Sequence, residues 1–105
     1  MIYLLNTPIL TSYGQFKFSG PLKAETVKAM LKNGYNSAIG HQATAEVMSL
    51  LLDQTIPANR QAIDMQKGEQ AIVFRLLERV PEGTILSKEE LLELPFEFSL
   101  LERVE

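Results

Sequence analysis

The stretch Tyr35-Asn36-Ser37-Ala38-Ile39-Gly40-His41-Gln42, running on through Ala43 to Leu52, changes its structural period partway along. Its first five residues form a short β-like run, Gly40 interrupts it, and residues 43–52 are apolar and helix-forming. A strand that turns at a glycine straight into a helix is the opening of an α/β unit. His41 stands at that turn. It is the only histidine of a chain that has no cysteine, and so the only side chain whose unperturbed pKa lies near neutrality. A helix N-terminus presents unpaired N–H groups and the positive end of a dipole, which suits a phosphate. An acid/base group beside an anion site is what phosphodiester cleavage requires. The residues alone leave a second reading open, in which His41 simply occupies a helix start.

Upstream, residues 2–5 read as a strand ended by Asn6-Thr7-Pro8, and residues 13–18 alternate large apolar with polar side chains as a half-buried strand does. Gly20-Pro21 is expected to break that strand, with Pro21 at the first position of a helix. That helix carries Val27, Met30 and Leu31 as an apolar stripe between Leu22 and Lys32, and Asn33-Gly34 stops it. Downstream, residues 61–65 are expected as a strand, Gln66-Lys67-Gly68-Glu69 as a turn and residues 70–78 as the strongest strand of the chain. There Ile72, Phe74 and Leu76 share one face, while Ala71, Val73, Arg75, Leu77 and Arg79 share the other. Pro81-Glu82-Gly83 turns the chain, Ser87-Lys88-Glu89-Glu90 is a capping box for a short helix ending at Leu94, and residues 96–100 form a last strand. Interleaved strands and helices predict one α/β domain over residues 1–105, a mixed β-sheet flanked by helices.

Composition narrows the function classes. With 105 residues there is room for one core but little for a deep private pocket, so a sizeable ligand fits best at a subunit interface. The 46% hydrophobic and 22% charged content is that of a folded domain. Without cysteine there is no disulfide, zinc ribbon or thiol nucleophile, and with a single histidine no conventional zinc site is expected. No stretch reaches membrane-spanning length and the N-terminus lacks the basic flank of a signal peptide, so a soluble cytoplasmic protein is expected. A net charge of −3 argues against a broad DNA-coating surface. It leaves room for a small anion held by a few of the four arginines, Arg60, Arg75, Arg79 and Arg103.

Four segments, in order, carry a family resemblance: residues 3–11 (Tyr3 to Thr11), Ser37-Ala38-Ile39-Gly40-His41-Gln42-Ala43-Thr44, Asn59-Arg60, and residues 79–86 (Arg79 to Leu86). Together they resemble the viral and prophage anti-CRISPR ring nucleases, a small family with host-encoded relatives. The resemblance spans essentially the whole chain. It implies a homodimer whose pocket lies across the two-fold axis and whose substrate is cyclic tetra-adenylate, the messenger of type III CRISPR systems. It further implies cutting without metal or other cofactor into linear di-adenylates that end in a cyclic phosphate.

By the same resemblance His41, Arg79 and Glu82 are catalytic. His41 would be the general acid, Arg79 would brace the phosphorane charge, and Glu82 would orient the 2′-OH or His41 or act as base. Asn6, Ile9, Thr11, Arg60 and Arg75 fall at substrate-binding positions. A four-fold ring on a two-fold axis presents opposite phosphates to two identical sites. Two other classes compete: a non-catalytic protein that sequesters cyclic oligonucleotides, and a dimeric DNA-binding regulator of a mobile element. The acidic balance and the lack of a basic helix weigh against sequence-specific DNA binding.

Overall fold

Short apolar runs bounded by turn residues set the strands. The computed structural model describes residues 2–6, 12–77 and 88–105. Its elements are β1 (Ile2–Leu5), β2 (Phe16–Leu22), α1 (Ala24–Met30) with a 3₁₀ turn over Leu31–Asn33, β3 (Asn36–Ser37), α2 (Gln42–Leu52), β4 (Gln70–Leu76), α3 (Lys88–Glu93) and β5 (Phe96–Arg103). Among the described residues the strands make one mixed sheet in the order β2-β5-β4-β1-β3. β1 lies parallel between β3 and β4, and β5 lies antiparallel between β4 and β2. The α/β domain with a mixed sheet is therefore as the sequence predicts.

Period-2 alternation divides the core into two layers. Leu4, Ile72, Phe74 and Phe98 point to the face where α1 and α2 supply Val27, Ala45, Val47, Met48 and Leu52. Phe74, Phe96 and Phe98 interlock there, with Phe74 stacked on Phe96 at 5.1 Å between centroids and edge-on to Phe98 at 5.8 Å. Leu5, Ala71, Val73 and Leu101 point to the opposite face, which Ile63 and Met65 cover from an irregular segment. The strand expected over residues 61–65 is thus not formed. Its alternation does predict which side chains point inward, but the segment lies across the sheet instead of joining its ladder.

The second correction concerns Pro21. It does not open a helix but lies inside β2, the edge strand, where the register against β5 shifts between Ser19 and Leu22. Gly20 makes the irregularity possible with a φ of 152°, and a Cβ there would stand 3.3 Å from the Phe98 carbonyl oxygen. Proline tolerates only an edge or a bulge in a sheet, and this position supplies both. The helix starts later, after Lys23.

Arg103 clasps the end of β5 to its surroundings. Its guanidinium donates to the Met65 and Tyr13 carbonyls, the Ser12 hydroxyl and the Glu105 carbonyl, and lies 5.8 Å from the Phe16 ring centroid. Ile72 is 0% exposed between the layers, whereas Leu50 on α2 is 63% exposed. Ile72→Ala is expected to lower unfolding free energy by about 2–5 kcal/mol through a cavity. Leu50→Ser should change it by less than about 0.5 kcal/mol, both read from urea denaturation.

Candidate functional site

The three parallel strands end on one side of the sheet, and chain order reverses around β1: β3 follows on one flank, and β4, reached after α2, lies on the other. In open α/β sheets this carboxyl end is where ligands bind. Asn6 leaves β1 there, and residues 38–41 leave β3 there.

The turn from β3 into α2 is held from several directions. The Ala38 N–H donates to the Leu4 carbonyl at 2.9 Å, and the Asn59 N–H donates to the Ile39 carbonyl at 2.8 Å. Ser37, only 4% exposed, accepts from the Ile39 N–H at 3.4 Å and donates its hydroxyl to the Pro57 carbonyl at 2.7 Å. Asn59 and Gln61 side-chain amides both donate to the Ser37 carbonyl, at 3.1 and 2.8 Å, which covers the backbone of an edge strand. The Gly40 N–H donates to the Asn6 Oδ1 at 3.3 Å.

His41 follows as the N-cap of α2, in extended conformation with φ −135° and ψ 121°. Its carbonyl accepts the Ala45 N–H at 3.1 Å, yet its side chain makes no capping bond. Among the described residues no side chain caps the first helical turn, whose N–H groups point the positive end of the helix dipole outward. The residue is part-exposed, but its Nδ1 is buried and has no hydrogen-bond partner among the described residues. A buried polar atom without a partner is rare in folded proteins and concentrates at working sites. Arg60 completes the group. A Cβ at Gly40 would stand 3.2 Å from the Arg60 Cγ, so the stem of this exposed arginine lies directly over the glycine. A side chain at position 40 would push that stem aside by a few tenths of an ångström.

Asn6, His41 and Arg60 are thus brought to one sheet end. Arg75 is not part of that group. It projects from the face that lacks the helices, pairs with Glu97 at 3.6 Å and lies 5.9 Å from the Phe18 ring centroid. Ile9, Thr11, Arg79 and Glu82 lie outside the described residues. Sequence reasoning missed Ser37, Asn59 and Gln61, whose partners are backbone groups 20 or more positions away in the chain. A cleft of about 500 Å³ opens at the other end of β1, lined by Ile2, Met30, Asn33, Gly34 and Tyr35 with no charged side chain. Tyr3, on the open face, has its phenol pKa raised above 10.0 by burial and then by Glu69, whose carboxylate accepts its hydroxyl at 3.2 Å. Its role is structural.

Removing the Ser37 hydroxyl strands the buried Ile39 N–H and takes a donor from the part-buried Pro57 carbonyl. Ser37→Ala is expected to cost about 1–3 kcal/mol in chemical denaturation. Gln42→Ala, which removes only an exposed contact to Glu46, should cost less than about 0.5 kcal/mol.

Among the described residues no helix is long and apolar enough to cross a membrane. Relatives place the chain. It is 36% identical over 99% of its length to the uncharacterized protein YddF of Bacillus subtilis (strain 168), of which it covers 98%. It is 33% identical over its full length to the uncharacterized protein ORF117 of Acidianus two-tailed virus, covering 95% of that protein. The fold matches B116 of Sulfolobus turreted icosahedral virus with a TM-score of 0.72 at 20% identity, over 97% of this chain and 98% of that one. The STIV B116-like family model matches residues 2–98, and the chain belongs to that family.

Proposed function

We propose that this protein is a homodimeric ring nuclease that cleaves cyclic tetra-adenylate to linear di-adenylates ending in a 2′,3′-cyclic phosphate, without a metal ion. It would thereby silence type III CRISPR signalling in the cytoplasm where the ring is made. The observation that carries this function is His41: the chain's sole imidazole, at the N-cap of an eleven-residue helix, with a buried Nδ1 that has no partner among the described residues. The nearby Arg60 stem and the ordered motifs shared with ring nucleases point to the same chemistry.

RNA carries its own nucleophile, so no covalent protein intermediate is needed. The ribose 2′-oxygen attacks the adjacent phosphorus as its proton passes to a base. The bond from phosphorus to the 5′-oxygen breaks, and that oxygen takes a proton from the His41 imidazolium. The protein's tasks are in-line placement, charge stabilisation and proton donation. The N-terminus of α2 and the Arg60 side chain would supply positive potential at the sheet end. Arg79 and Glu82 take the roles that the family resemblance gives them, bracing the phosphorane and orienting or deprotonating the nucleophile. One protomer would cut one of two opposite phosphates and its partner the other.

The test is incubation of the protein with labelled cyclic tetra-adenylate in excess chelator. Cleavage to di-adenylate is expected, and His41→Ala should slow it by roughly 10²-fold or more while circular dichroism and dimer mass stay unchanged. Full activity in that variant, or dependence on added metal, would refute the assignment; tight binding without turnover would favour sequestration. With about four phosphates engaged, log affinity should fall against log salt with a slope of roughly −3, and a slope near zero would contradict a cationic cradle.

A further inference from the structure

In a regular parallel pair, the Ala38 N–H to Leu4 carbonyl bond is followed two residues on by a bond from the Gly40 N–H to the Asn6 backbone carbonyl. Here the Gly40 N–H instead meets the Asn6 side-chain Oδ1 at 3.3 Å. We propose that Asn6 is a positioning residue, whose side-chain carbonyl adds one more rung to the β1–β3 ladder and so fixes the Gly40-His41 turn against the sheet while the β1 backbone departs. The inference deepens the ring-nuclease function and rests on it for its kinetic part.

The chemistry favours an amide at this position. An N–H must meet an acceptor, so the contact to Gly40 commits the oxygen of the Asn6 carboxamide and fixes which way that group is turned. Its two N–H donors make no bond among the described residues. The rung acts one residue before His41, and Arg60 lies over the same glycine. Loosening Gly40 therefore moves the imidazole and the arginine stem together. In-line chemistry is sensitive to such displacements, so loss of the rung should appear in turnover more than in binding.

The experiment compares wild type, Asn6→Ala and Asn6→Asp in the full-length protein. In ligand-free samples, NMR reads the Gly40 amide and the imidazole of His41, which is a single spin system because the chain has one histidine. Asn6→Ala should shift both signals and speed hydrogen exchange at Gly40. Asn6→Asp, which keeps an acceptor for that N–H, should restore both. In cleavage assays Asn6→Ala should lower kcat about tenfold or more with KM changed by less than about threefold. Asn6→Asp should recover kcat, and its added negative charge should raise KM for a phosphate ring.

Unchanged Gly40 and His41 signals in Asn6→Ala would overturn the proposal, as would a KM rise with unchanged kcat, the mark of a residue that only grips ligand. If the wild-type protein cuts no ring, the cleavage reading falls, and the ligand-free NMR comparison still decides whether Asn6 holds the turn.

Discussion

The parallel pairing of β1 with β3 is the constraint on which the site depends. β3 is only two residues long and forms one edge of the sheet. So short a strand has few ladder bonds of its own, and its geometry is held by what surrounds it. Ser37 reaches Pro57, Asn59 and Gln61 reach back to Ser37, and Asn6 reaches Gly40. These contacts come from β1 and from the chain after α2, so the turn bearing His41 is gripped from both sides. Thr44 and Ala45, small and buried, let the first turn of α2 lie close against the sheet.

That arrangement reconciles rigidity with reactivity. The backbone of residues 38–41 is tied through Ala38, Ile39, Gly40 and the His41 carbonyl, which leaves little freedom to the Cα of the histidine. The imidazole itself makes no cap bond, and among the described residues its Nδ1 has no partner. A held backbone under the imidazole is what the proposed proton donation would use. At the opposite end of the sheet the cleft beside Ile2 has no charged side chain among its described lining residues, and the Tyr35 hydroxyl is engaged with the Thr55 carbonyl.

Much of this could be read from sequence where local chemistry and tertiary surroundings agree. β1, α2 and β4 are bounded by turn residues or caps and have clear periodicity, and they form within a residue or two of expectation. Pro21 was open to misreading because proline suits both a helix start and an edge bulge, and only the neighbouring β5 decides between them. Residues 61–65 carry a strand's alternation, yet Ile63 and Met65 serve to cover a sheet face. His41 stood out as a chemical singleton. Asn6 is singled out by the family resemblance as a ligand contact, but its bond to Gly40 is not legible, because an asparagine after a strand reads first as a turn former. Arg60 is brought to Gly40 by a crossover that no spacing rule encodes, and Arg75, grouped with it by family resemblance, is directed to Glu97 instead.

The most direct test of the account is a crystal structure of the His41→Ala protein with uncleaved cyclic tetra-adenylate bound. One ring should lie across a two-fold axis, with a phosphate over the first turn of α2, the Arg60 head turned to it and its 5′-oxygen facing the space vacated by the imidazole. A ring seated in the cleft between Ile2, Met30 and Tyr35, or held by a single protomer away from position 41, would contradict it.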